Sequence, residues 1–274
     1  MIKADKYLKQ NLKRILEEGF IDENPRAKYK DGTPAHSRFI TQVFEEYDLS
    51  KEEFPVTTLR NTAIQTGLKE IIWIYLWQSN KLSDAKLLGI NWWDDWNVGD
   101  DTIGSVYGYT NEQYSLYDNL RTSLLKDPFG RRHIMNLWQE EHLRTTKGLL
   151  PCAYETIWSA RTNSKGEYVL DMTLIQRSSD YIMAGYINKS QYVGLMMYTI
   201  KYLNKISNKK WVLGKFCHFV QNLHIYDRHI DQAKEILSRE GGYQPVMYFD
   251  EEGNIKCKGI SQGKKLSTPL ELAI

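Results

Sequence analysis

A cysteine that follows a proline at the head of a strand-like run is the first residue here whose position suggests chemistry. It is Cys152, in GLLPCAYETIWSARTN, residues 148–163. A buried strand cysteine behaves as a small hydrophobe, whereas a thiol held rigidly at a strand start can serve as a nucleophile. This stretch alone fits both. Basic side chains gather in three places: Arg131 and Arg132 after a DPFG turn, Arg177 inside QRSSD, and Arg26, Lys28 and Lys30 in a polar loop. A guanidinium stays charged and its fork matches phosphate bidentately, so arginines converging from separate segments would bind a phosphate monoester. Solvated surface uses the same residues.

Gln176, Arg177, Ser178 and Asp180 follow directly on the apolar run VLDMTLI. Such a dense hydrogen-bonding group at a strand end suits a polar ligand, or simply a turn. His224 and Tyr226 in HIY stand two apart, on one face of a strand. NWWDDW sets Trp93 and Trp96 around two aspartates, as core packing or as faces for a flat heteroaromatic ligand. Glu70, amid LKEIIWIYLW, is a carboxylate on a largely apolar helix, at its edge or buried with a raised pKa.

These residues need a scaffold, and 274 residues suffice to bury a sizeable core. Leu8, Leu12, Ile15 and Leu16 predict a helix stopped by Gly19, followed by a loop through Pro25, Gly32 and Pro34. A helix is expected from about Asn61, another over Glu112–Lys126, and a third over 188–206. HIMNLW, CAYETIWSAR and EYVLDMTLIQR read as strands, the last two joined by a hairpin at TNSKGE; KWVLGKFCHFVQNLHIY is one or two more. DRHIDQAKEILSRE closes the pattern as a helix. No linker or repeat divides the chain, so the expectation is one α+β domain over residues 1–274, helices on an antiparallel or mixed sheet.

The 36 basic and 34 acidic residues nearly cancel, giving no global drive toward nucleic acid or membrane. The longest apolar run, Ile71 to Trp77, is too short to span a bilayer, and the N-terminus lacks the apolar core of a signal peptide. Three dispersed cysteines signal neither a disulfide framework nor a zinc site, so a reducing cytoplasm and no metal are expected.

Taken in order, Glu70, WDDW, VYG, RRHI, LLPC, QRSSD, Asn188 eight residues after it and HIY resemble the thymidylate synthase family, from about residue 31 to 240. The resemblance implies a homodimeric enzyme that converts dUMP to dTMP with 5,10-methylenetetrahydrofolate. It implies that Cys152 attacks C6 of the pyrimidine, that Gln176, Arg177 and Ser178 bind the nucleotide, and that Arg131 and Arg132 reach the phosphate from the partner subunit. Asn188 would read the uracil edge, and His224 with Tyr226 the 3′-hydroxyl. Trp93, Trp96 and Asp180 would hold the folate, while Glu70 and Tyr107 would handle protons. Nearby arginines are expected to lower the Cys152 pKa. Which of Arg26, Lys28 and Lys30 serves the phosphate is open.

The sequence departs from the usual pattern at Ala153, where a histidine normally follows the nucleophile, and at Tyr186-Ile187, normally Pro-Phe. A late tyrosine expected at the sugar is not identified, while the closing ELAI resembles the apolar C-terminal closure. The rivals are a pyrimidine C5-hydroxymethylase, against which Asn188 stands, and a non-catalytic nucleotide- or RNA-binding protein. A net charge of +2 does not favour the latter.

Overall fold

The computed structural model describes residues 1–259 and 265–274. Its first helix, α1 (Lys3–Glu18), buries Leu8, Leu12 and Ile15 and ends at Gly19. A short strand β1 (Phe20–Ile21) and a long strand β2 (Ser37–Asp48) follow. The periodicity reading contains no β2, because a buried glutamate interrupts its apolar face: Val43, Glu45 and Tyr47 all point inward.

Helix α2 (Ile64–Ile71) continues into one π-helical turn at Ile72–Leu76, then α3 (Leu82–Leu87). The single helix expected over Glu112–Lys126 is two, α4 (Gly108–Tyr114) and α5 (Leu116–Lys126), broken where Ser115 takes φ 48°. Buried Asn111 makes the break: its carboxamide donates to the carbonyls of Ile74 and Tyr75 and accepts from the Tyr117 N–H at 3.0 Å. Strand β3 (His133–Asn136) and helix α6 (Glu140–Leu143) lead to the hairpin β4 (Ala153–Thr162) and β5 (Tyr168–Asp180). Helix α7 (Gly185–Ile206), the single strand β6 (Trp211–Tyr226), α8 (Ile230–Ser238) and a hairpin of β7 (Val246–Phe249) with β8 (Ile255–Lys258) follow.

The main sheet has six strands in the order β1-β2-β6-β5-β4-β3. Every pair is antiparallel except β5 with β6, so the sheet is mixed and the class α+β, as expected. Parallel register sets Asp180 beside His224, bringing two distant motifs to one sheet end.

Helix α7 is buried on nearly every side through its N-terminal half and packs on β5, β6 and α2. Gly67 permits the close approach of α2: a Cβ there would stand 2.7 Å from Ile187 Cγ2. That approach brings Glu70 on α2 near Gln191 on α7. Under the sheet, Lys189 and Glu45 form an ion pair at 2.7 Å with side-chain exposures of 0% and 2%. Such a pair survives only if its remaining valences are filled. They are: Tyr47, Tyr181 and Asn11 all donate to Glu45, and the Lys189 ammonium lies 3.6 Å from the Tyr186 ring centre.

The opposite sheet face is uncovered in the single chain. Phe44, Phe219, Ile175 and Glu155 are register neighbours across four strands, β2, β6, β5 and β4, and Ile157 on β4 pairs with Ile134 on β3. Phe44, Ile134 and Ile157 are exposed.

Candidate active site

Cys152 enters β4 just before a register irregularity between Ala153 and Glu155, and it is half-buried. Its backbone N–H donates to the Tyr107 hydroxyl at 3.3 Å. Arg177 clasps the approach: Nε donates to the Pro151 carbonyl and Nη2 to the Leu150 carbonyl, both at 2.9 Å. Nη2 also stands 3.5 Å from Cys152 Sγ. The proline thus stiffens a segment whose carbonyls anchor the guanidinium beside the thiol.

Burial pushes the Cys152 thiol up; Arg177 and then Arg26 pull it down, and burial wins. The expected lowering is therefore corrected: in the single chain, desolvation of the thiolate exceeds what two guanidiniums return. Among the three loop candidates, Arg26 is the one whose charge acts on Cys152, and it also acts on Tyr226.

Tyr107 sits at φ 49°, a region costly for a bulky side chain. The glycine of VYG has a steric cause, since a Cβ on Gly108 would lie 1.9 Å from the Ser79 carbonyl oxygen. The Tyr107 ring meets Trp93 edge-on at 5.4 Å, and Trp93 meets Trp96 at 5.4 Å. The Trp92 indole, absent from the sequence-based set, donates to the Glu70 carboxylate.

Glu70 is 7% exposed, and burial raises its pKa against the hydrogen bonds that favour the charged form. Below about pH 4.5 the folded and unfolded chains both hold this proton. As pH rises, the unfolded state ionises first and stability is lost up to the folded pKa. Glu70→Gln is therefore expected to raise Tm at pH 8 relative to the parent, with the gain fading toward pH 4, while turnover falls sharply. Thermal unfolding at both pH values checks the sign; an equal Tm at pH 8 would show no penalty from the buried carboxylate.

At the end of β5, the Asp180 side chain accepts from the Met183 N–H at 3.1 Å, turning the strand into α7. QRSSD is therefore the polar end of strand β5, and the turn follows it at residues 181–184. His224 Nδ1 shares a hydrogen bond of 3.0 Å with Asn222, and its ring meets Tyr226 edge-on at 5.2 Å. Burial, then Asp180, pushes the Tyr226 hydroxyl up to about 12. Arg60, also missed from sequence, donates to the Ile182 carbonyl and is an electrostatic partner of Asp180.

Gln176 is buried and donates through Nε2 to the Ser178 carbonyl at 2.9 Å and to Asn188 Oδ1 at 3.2 Å. Asn188 Nδ2 donates to Gln191 Oε1 at 3.0 Å. Gln191 was detectable in the sequence, lying three residues beyond Asn188 on one helix face. Among the described residues, Asn188 keeps one acceptor lone pair and one N–H free.

Arg131 and Arg132 are exposed and lie apart from this cluster. His133 pairs with Trp158, six residues beyond Cys152 along β4, roughly 20 Å at strand spacing. The chain end docks on the basic loop instead: Ile274 exchanges backbone hydrogen bonds with Lys28 at 2.8 and 2.9 Å. Arg228 ties Glu271 at 2.6 Å and Asp31 at 2.8 Å. Among the described residues, no group of three or more His, Cys, Asp or Glu could hold a metal, and no helix is long and apolar enough to cross a membrane.

A thiol clasped by an arginine, an oriented carboxamide, a buried carboxylate and an aromatic wall make up the group types that nucleophilic chemistry on a polar, flat substrate requires. The family model described as thymidylate synthase matches residues 5–262. Thymidylate synthase of Lactococcus lactis is 45% identical over 240 residues, 87% of this chain and 84% of the relative. That of Streptococcus pneumoniae is 46% identical over 242 residues, 88% and 84% respectively. The solved structure of thermostable thymidylate synthase A from Bacillus subtilis superposes with a TM-score of 0.85 at 29% identity, covering 99% of both chains. The chain belongs to the thymidylate synthase family and is an enzyme of the methyltransferase class.

Proposed function

We propose that residues 1–274 form a single catalytic domain that converts dUMP to dTMP in the cytoplasm, as a homodimer. The observation that carries this reading is Cys152 and Arg177 in contact at one sheet end, with Asn188 tied to the same strand through Gln176. Cys152 adds through sulfur to C6 of the uracil ring, which makes C5 nucleophilic. Asn188 offers its free N–H to O4 and its free lone pair to N3–H. His224 and Tyr226 face the sugar, and Arg177, Ser178 and Arg26 the phosphate. Tyr107, a neutral phenol, helps pass the C5 proton into the water that Glu70 orders, and Cys152 then leaves C6 as a thiolate as the ring regains its C5–C6 double bond.

When bound, 5,10-methylenetetrahydrofolate supplies the one-carbon unit and the hydride. The residues present fit it: Trp93 and Trp96 form an aromatic wall beside Tyr107, and Asp180 stands at the same sheet end. Those three would hold it. A second copy, docked through the open face around Phe44, Phe219 and Ile157, would bring its Arg131 and Arg132 to the phosphate, which they cannot reach within their own chain.

Incubation with dUMP and 5,10-methylenetetrahydrofolate tests the reading. The expected result is a methyl gain in nucleotide mass with one dihydrofolate per product. A hydroxymethyl product with tetrahydrofolate released would overturn it in favour of the hydroxymethylase.

A further inference from the structure

The direction of every hydrogen bond around Asn188 follows from one backbone group. A carbonyl only accepts, so the Gln176 atom 2.9 Å from the Ser178 oxygen must be the NH2 end. Gln176 Oε1 then faces His218 Nε2 at 2.8 Å, and that ring nitrogen must carry a hydrogen. The same NH2 fixes Asn188 Oδ1 toward Gln176, and hence Asn188 Nδ2 toward Gln191 Oε1. Reversing Asn188 would set N–H against N–H on one side and oxygen against oxygen on the other. The free valences of Asn188 therefore match uracil, with N3–H and O4, and mismatch cytosine, whose N3 accepts and whose amino group donates.

Gln176 has two anchors, the Ser178 carbonyl and His218. The imidazole is 1% exposed on β6, with the Phe216 ring stacked 6.4 Å away. It lies beside the Lys189–Glu45 pair, whose charges both act on it. Burial and then Lys189 push it down to about 3, against Glu45, so the ring stays neutral with its hydrogen on Nε2. Lys189 directly follows Asn188 in the chain. The helical turn that presents Asn188 is thus pinned to β2 by a buried ion pair, while its carboxamide is oriented from β6.

We propose that His218 is a positioning residue for base selection, holding Gln176, and through it Asn188, in the polarity that accepts uracil and rejects cytosine. The proposal rests on the uracil reading above. Its test measures dUMP and dCMP binding, with kcat and KM for dUMP, in the parent, H218L and H218Q. H218L leaves Gln176 Oε1 without a donor and the carboxamide held by the Ser178 carbonyl alone. It is expected to raise the dUMP KM about tenfold and to narrow the dUMP-over-dCMP binding ratio by a similar factor, with kcat within about threefold. H218Q, which restores an N–H donor, is expected to recover most of the ratio.

A merely structural role would lower Tm and weaken both nucleotides equally, leaving the ratio at the parent value; that result overturns the proposal. Should H218L fail to fold, H218N, whose shorter carboxamide stops short of Gln176, carries the same expectation. A parent that itself prefers dCMP would overturn the uracil reading and this proposal together. A parent that prefers dUMP, with an unchanged ratio in H218L, would overturn the positioning role alone.

Discussion

Cys152→Ala is expected to reduce turnover on the order of 10⁴-fold or more while dUMP still binds within a few-fold of the parent. The asymmetry follows from the contacts. The thiol is the group proposed to form the bond to C6, whereas the groups assigned to binding are anchored elsewhere. Arg177 is held by the Pro151 and Leu150 carbonyls, and Asn188 by Gln176 and Gln191. Removing Sγ releases the arginine from one contact of 3.5 Å and leaves two of 2.9 Å in place. Binding is measured by calorimetry and turnover by dihydrofolate formation. Turnover within tenfold of the parent would remove Cys152 as the nucleophile, and loss of binding in step with turnover would make it a packing residue.

Mixing two inactive variants is expected to restore activity. The double variant Arg131→Glu, Arg132→Glu keeps Cys152 but lacks the arginines proposed for its partner's site; Cys152→Ala has the converse defect. Each homodimer should be dead. After subunit exchange, random pairing makes about half the dimers hybrid, each with one complete site, so about a quarter of the parent activity should return. The geometric reason is the register of β3 on β4, which separates these arginines from their own Cys152 by roughly 20 Å. Recovery of activity requires a site shared between copies. No recovery, with exchange confirmed by mass, would place both arginines outside the site.

The ordered series from Glu70 to Tyr226 made the family and the α+β class legible without coordinates, because each motif is a short segment whose residue types carry their own chemistry. The hairpin at TNSKGE and the helix after Asn188 were equally plain, since turn residues and a period of 3.6 are local properties. Strand β2 was not legible, because Glu45 on its buried face reads as a surface residue until Lys189 is known to face it. Nor was the break at Ser115, which depends on Asn111 reaching the carbonyls of Ile74 and Tyr75. The thiol's pKa came out opposite to expectation, because proximity to arginine can be guessed from motifs whereas desolvation is a property of everything around the sulfur.

What the sequence by itself determined is therefore the family and the inventory of candidates: a thiol, arginines, a carboxamide and a carboxylate, each recognisable by type and order. What only the tertiary structure decided is their coupling. It chose Arg26 over Lys28 and Lys30 as the loop cation acting on Cys152, and Trp92 as the indole bonded to Glu70. It also gave the Asn188 carboxamide a direction, through a carbonyl at Ser178 and an imidazole at His218. A hydrogen bond's direction and a charge's solvation depend on neighbours from separate strands and helices, and no local stretch of sequence contains them.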